Sequence, residues 1–241
     1  MKTNKPCHAQ VAELTRGVTL PLPAVDAEHL LIIVETLVRM WAELLTRHTN
    51  LLEQDEDYIN ALMATRLKKL CDEGTDIMWD TLVSSVARGE DSISYDGSCL
   101  KRQPDLPLVL TKPHLSAFPL IIECKLIDTK TKKSVGLYCK KGLTRFINGE
   151  YAWYDRQAIM LAYVRDAATI ATRLTPHLGK HKNKQPDPFA CEKLPEAIET
   201  TDMDLARSEH RRNFRHVEPG HNAPGPIEIW HLWVSDMAQM R

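Results

Sequence analysis

Apolar residues recur at helical spacing across residues 24–48, where Leu30, Ile33, Val34, Leu37, Trp41, Leu44 and Leu45 share one stripe. The spacing predicts a helix there. A second helix is expected from about Asp55 to Leu70, opening on an acidic first turn that suits its dipole. A third is expected over about Asp76–Val86. The period then changes. "SISYDG" (92–97), residues 105–111 and residues 119–127 read as strands, the last two as a hydrophobic hairpin. A short helix is expected over Lys140–Ile147 and a long one from about Tyr151 to Leu174. Residues 179–203, polar and containing "NKQPDPF", read as a loop. The C-terminal "PIEIWHLWV" is β-branched and aromatic, a strand whose Trp230 and Trp233 belong to the core.

Helices, then strands, then helix and strand point to an α/β protein. The expected architecture is a three-layer sandwich, a mixed central β-sheet flanked by helices, with a helical N-terminal portion. The 241 residues fit one domain. Its expected parts are a leader (1–23) closed by the breaker "LPLP", a helical part (24–90), a core (91–178), the loop (179–203) and a C-terminal strand region (204–241).

No apolar run reaches the roughly 18 residues of a membrane span, and "MKTNKPCHAQ" lacks the apolar centre of a signal peptide. A cytoplasmic protein without a membrane partner is expected. Cysteines at 7, 71, 99, 124, 139 and 191 form no C-x-x-C pair, which argues against zinc and for free thiols, several of them buried. No glycine-rich nucleotide loop and no internal repeat is present.

The formal net charge of −1 hides an asymmetry. Residues 24–60 hold eight acids and two bases, whereas residues 129–149 hold six bases and no acid. Residues 173–184 add four bases and two histidines. A basic stripe of this kind suits a polyanion, or is simply a solvated lysine face.

The chemistry concentrates in "PDLPLVLTKPHLSAFPLIIECKLID", residues 104–128. Strand alternation sets Leu120, Ile122, Cys124 and Leu126 on one face and Ile121, Glu123, Lys125 and Ile127 on the other. Glu123 and Lys125 thus project together from an apolar run, and Asp105 on the preceding strand can meet them across the hairpin. Burying either charge alone is costly, and a simple ion pair offers weak net stabilisation. Converging carboxylates repel unless a cation sits between them, and oxygen donors of this kind suit Mg²⁺.

Pro104-Asp105 followed by Glu123-Cys124-Lys125, the two acids 18 residues apart on adjacent strands, resembles the signature of the PD-(D/E)xK nuclease superfamily. The resemblance covers about residues 50–175 and implies a restriction-endonuclease-like fold. It also implies a Mg²⁺-dependent endonuclease, with Mn²⁺ as a substitute, that hydrolyses phosphodiester bonds of DNA. Asp105 and Glu123 would ligate the metal with the Cys124 carbonyl, and Lys125 would orient or deprotonate the attacking water or stabilise the phosphate. An upstream helical acid usually completes such sites; Glu56 is the first choice and Glu53 the next, against the plain reading of a solvated first turn. Gln157, on the inward stripe of the expected long helix, matches a glutamine of RecB-type relatives, although Leu161 stands where those carry a tyrosine. A core glutamine bonded to backbone is the alternative.

"KKGLTRF" and "ARSEHRRNF" supply Lys140, Lys141, Arg145, Arg211 and Arg212 as candidate phosphate contacts. His210 and His231 are further candidates, although a lone histidine is more often structural. The resemblance places the protein in bacterial or phage nucleic-acid processing, restriction or anti-phage defence. DNA is the expected partner, together with a homodimer mate or a protein such as a helicase. Two readings compete with the nuclease: a non-catalytic nucleic-acid-binding or assembly subunit on the same fold, and a structural α/β protein with an internal ion pair.

Overall fold

The computed structural model describes residues 6–99, 101–111, 115–200, 202–216 and 220–236. One mixed sheet of seven strands runs through them in the order β1-β2-β3-β4-β7-β6-β5. The strands are β1 (Val83–Val86), β2 (Leu106–Leu110), β3 (Leu120–Ile127), β4 (Gln157–Val164), β5 (Cys191–Ala197), β6 (Asp204–His210) and β7 (Ile227–Val234). β3, β4 and β7 are parallel neighbours, while β1–β2–β3 and β7–β6–β5 pair antiparallel.

Helices cover both faces. After α1 (Pro6–Leu14) come α2 (Ala27–Arg47) and α3 (Glu56–Glu73), which lie on one face. The expected stripe of α2 is its buried side, from Leu30 to Leu44. α3 starts where the Asp55 carboxylate accepts the Tyr58 N–H at 2.8 Å and stops at Gly74, whose φ of 59° takes the left-handed cap. α4 (Ile77–Leu82) leads into β1. On the other face, α5 (Val135–Tyr138) and α6 (Thr144–Ile147) are joined by a π-helical turn, Cys139–Leu143, and α7 (Thr175–Lys182) follows another, Ile170–Leu174. In β3, Leu120, Ile122, Cys124 and Leu126 face the α2–α3 core, and Ile121 and Ile127 face the α5–α7 core.

Several expectations change. The long helix over 151–174 is instead β4 with flanking turns: all eight β4 residues are buried, so the run is apolar on both faces and carries no period to tell strand from helix. The loop over 179–203 contains the end of α7 and all of β5. β5 is an edge strand, which tolerates its Pro195 and its exposed charges. The helix expected over 76–86 yields to β1 after Leu82, and "SISYDG" contributes one isolated bridge, Ser92 to Arg102. The leader holds α1 and packs Val11, Leu20 and Leu22 against Phe118, Trp153, Tyr154 and Phe214.

Arg212 leaves the list of nucleic-acid contacts. Its guanidinium is buried and donates to the carbonyls of Gly225 (2.9 Å), Asp155 (2.8 Å), Ala152 (3.3 Å) and Pro224, tying the turn before β4 to the turn before β7. Removing it strands those carbonyls in the interior. Arg212→Ala is expected to cost on the order of 3 kcal/mol in urea unfolding. A variant of undiminished stability that binds DNA more weakly would return Arg212 to the surface role.

Candidate active site at the open edge of strand β3

β2 and β3 pair only from Leu108↔Leu120 to Leu106↔Ile122. Beyond Ile122, β3 runs on with that edge free, while its other edge stays bonded to β4 through Ile127. One more step of the register would put Asp105 opposite Glu123, and the next would put Pro104, which has no N–H, opposite Cys124. Two side chains take over from the missing strand. The Cys124 N–H donates to Asp105 Oδ2 at 2.8 Å, and the Leu126 N–H donates to Glu56 Oε2 at 2.7 Å. Glu56 is the first residue of α3, so the helix start and the mouth of the hairpin are pinned to the same edge.

Lys125 gathers these acids. Its Nζ lies 3.0 Å from Glu56 Oε1, 2.9 Å from Glu123 Oε1 and 3.5 Å from Asp105 Oδ2, and it also donates to the Cys124 carbonyl. Arg145, on α6, donates to Glu123 Oε1 at 2.7 Å and to the Tyr151 hydroxyl at 3.2 Å. Tyr151 in turn donates to the Gln103 carbonyl at 3.1 Å. The π-helical turn brings this segment close: a Cβ on Gly142 would meet Met160 Cε at 2.5 Å and Lys125 Cγ at 3.5 Å, so a larger residue there would have to push the end of the Met160 side chain aside.

Three carboxylates thus face two cations. Glu123 is fully buried, and its Oε2 has no hydrogen-bond partner. Burial, and then the charge of Asp105, push its carboxyl up from 4.5 to about 8, against the opposite pull of Lys125 and Arg145. For Lys125, burial alone would favour the neutral amine. The Glu123, Asp105 and Glu56 carboxylates outweigh it and raise the ammonium above its ordinary value. At neutral pH Lys125 is therefore a fixed cation, and Glu123 is the group poised to exchange a proton.

Asp105, Glu123, Lys125, Glu56 and the Cys124 carbonyl come together as one cluster, while Glu53 lies outside it, towards Arg165. Gln157 does not join them. It opens β4 on the opposite sheet face, where its Oε1 accepts the Val25 N–H at 2.7 Å and its Nε2 donates to Glu228 at 3.1 Å. Arg145 belongs to the cluster and not to a free basic stripe. Lys140 and Lys141 on the neighbouring turn are exposed. Arg211 follows β6, three strand spacings from β3 (on the order of 14 Å), and stays apart from the cluster. His210 and His231 are fully buried. Ser208 Oγ bridges their Nε2 atoms at 2.7 Å each, and the Tyr138 hydroxyl lies 2.7 Å from His231 Nδ1. Both rings serve the sheet interior. Arg145 as the partner of Glu123, and Tyr151 as the partner of Arg145, escaped the sequence reading; a basic residue one helical segment after the E-x-K strand was the available signal.

The donor chemistry fits a hard divalent cation, since every free oxygen in the cluster is a carboxylate or carbonyl oxygen and one buried carboxylate oxygen is unpartnered. The arrangement is set for an ammonium. Among the described residues no group of three or more His, Cys, Asp or Glu side chains is arranged to hold a metal ion as it stands. Ammonium and divalent cation would compete for the same oxygens. No helix among the described residues is long and apolar enough to cross a membrane. No protein-family model matches the chain, and no curated protein and no solved structure matches it either.

The elevated Glu123 value makes a stability prediction. The folded state keeps a proton on Glu123 up to about pH 8, whereas the unfolded chain loses it near 4.5. The folded state therefore holds more protons through that window, and this group's contribution to stability falls as pH rises through it. Glu123→Gln removes the dependence. Its stability relative to wild type should grow by a few kcal/mol from acid to mildly alkaline pH, at about 1.4 kcal/mol per pKa unit. Parallel unfolding curves for the two proteins across that range would refute the assignment.

Proposed function

We propose that the protein is a metal-dependent phosphodiester hydrolase acting on DNA, built on a restriction-endonuclease-like version of its α/β fold. The observation that carries this reading is the convergence of Asp105, Glu123, Glu56, the Cys124 carbonyl and Lys125 at the open edge of β3. Asp105, Glu123, Glu56 and the Cys124 carbonyl would hold Mg²⁺ or Mn²⁺, which lowers the pKa of bound water and offsets charge on phosphate. Lys125, held protonated by its acidic neighbours, supplies positive charge to a phosphate entering beside it and does not act as a base. Glu123, neutral below about pH 8 in the metal-free site, would give up its proton to solvent on joining the metal, with Oε2 free to bind it. Arg145 fixes the carboxylate through Oε1 and leaves Oε2 open.

One observation favours a second reading. Lys125 already neutralises the acids from within, which suits a non-catalytic nucleic-acid-binding or assembly subunit whose ion cluster only holds β2, β3 and α3 together.

Plasmid and single-stranded DNA incubated with Mg²⁺ or with EDTA separate the two. The wild-type protein is expected to cleave only with the metal. Asp105→Asn keeps an acceptor for the Cys124 N–H and Glu123→Gln keeps its shape, yet each should lose activity by on the order of 10²-fold or more. Lys125→Ala should lower turnover while sparing affinity. Metal-independent indifference of all three variants would leave the assembly reading standing.

The exposed Lys140 and Lys141 are expected to contact phosphate without reading sequence. Replacing both by alanine should weaken binding alike on unrelated duplexes and flatten the slope of log affinity on log salt by about 0.9 per lost contact. An unchanged slope and affinity would remove this turn from the DNA path.

A further inference from the structure

A second place on the same strand has the chemistry of an anion site. An open cavity of about 550 Å³ lies at the carboxyl ends of the parallel strands β3 and β4. Its floor is Ile127, two residues beyond Lys125 on the same strand and the same sheet face, about 7 Å further along. Lys133 flanks it from the turn before α5, and Arg173, His177 and Lys180 flank it from the segment that ends in α7. Crevices at the carboxyl ends of parallel strands are where open α/β sheets commonly take ligands.

The charge balance there is the reverse of that at Glu123. Lys133, Arg173 and Lys180 face a single carboxylate, Asp166. That carboxylate already accepts the N–H of Thr129 at 2.9 Å and of Ala168 at 3.3 Å, and the Thr129 hydroxyl as well. None of the three cations is in an ion pair among the described residues. His177 Nε2 is buried with no hydrogen-bond partner. Burial, followed by the positive charges of His181, Lys140, Lys180 and Lys184, lowers its pKa. The surroundings of the ring are therefore cationic, with no acid among the groups that shift it. Two excess positive charges around an open cavity match a tetrahedral oxyanion better than an apolar group.

We propose that this cavity is a phosphate-binding site, in which Arg173, Lys180 and Lys133 hold the oxyanion beside the His177 ring. That the phosphate belongs to the strand cleaved at Glu123 rests on the nuclease reading; the affinity for phosphate does not. The ligand is either a terminal phosphate or an internal phosphodiester of that strand. As a terminal site it would set the distance of the cut from a strand end, and as an internal one it would hold the strand beside the scissile bond.

The test is a titration in EDTA, where no cleavage occurs, with the Arg173→Ala/Lys180→Ala variant beside the wild type. Both side chains are exposed, so the variant should fold, and thermal melting checks this. Inorganic phosphate is expected to shift the His177 imidazole nitrogen resonances of the wild type and raise that ring's pKa. In the variant the phosphate affinity should drop about tenfold or more. Two otherwise identical single strands, with and without terminal phosphates, then locate the source. A preference for the phosphorylated strand that vanishes in the variant identifies a terminal phosphate. Equal weakening of both strands identifies an internal one. Unmoved His177 resonances, or equal phosphate affinity in wild type and variant, would overturn the site. If phosphate binds here and metal-dependent cleavage is absent, the catalytic reading fails alone; if cleavage persists and phosphate does not bind, this inference fails alone.

Discussion

Two backbone N–H groups on one edge of β3 have no strand to bond to, and the site follows from how they are satisfied. Cys124 and Leu126 point their N–H groups past the last paired residue of β2. An unpaired buried amide costs about 1–3 kcal/mol. Asp105 and Glu56 answer the two amides with carboxylates, and each carboxylate brings more charge than a peptide carbonyl would. With Glu123 beside them, the edge becomes strongly anionic in a region mostly withdrawn from water. Lys125 and Arg145 offset that charge, and the π-helical turn around Gly142, close against Met160, leads into the helix that supplies Arg145.

Stability alone does not account for this arrangement. Apolar residues of similar volume commonly match or exceed buried ion clusters in stability, and the surrounding strands are already lined by Leu, Ile and Cys. The cluster also splits its members into different protonation behaviour. Lys125 is driven towards permanent charge, while Glu123 is driven into the neutral range, with one oxygen held by two cations and the other free. Both groups are shifted upward, which leaves the carboxyl neutral and the amine charged near neutral pH.

The hairpin was the most legible part of the sequence. Its two apolar runs bracket a turn, and strict alternation separates Glu123 and Lys125 from Leu120, Ile122, Cys124 and Leu126. Helices α2 and α3 were legible for the same reason: each buries one stripe and shows the other to water. β4 was not, because after Gln157 a strand covered on both faces has no alternation of polar positions to mark its period. Its loss as a helix also moved Gln157 to the wrong face. β5 was hidden for the opposite reason, as an exposed edge with the composition of a loop. Arg212 shows a third limit. A basic residue beside another on a polar stretch looks like surface, and only the carbonyls of Gly225, Asp155 and Ala152, distant from it in the chain, reveal that it is interior.

β3 is also where the sheet changes character, antiparallel towards β2 and parallel towards β4. The two relationships place different chemistry on one strand. The antiparallel side ends early and leaves the amides that recruit the acids. The parallel side demands a long crossover, which runs through the basic turn after β3, α5 and α6 and ends at β4. A crossover of that length must pass over the carboxyl end of β3, and here it carries Lys133, Lys140, Lys141 and Arg145 with it. Anionic edge and cationic crossover are therefore neighbours by topology. The carboxylates at that edge are balanced from within by Lys125 on β3 and from the crossover by Arg145.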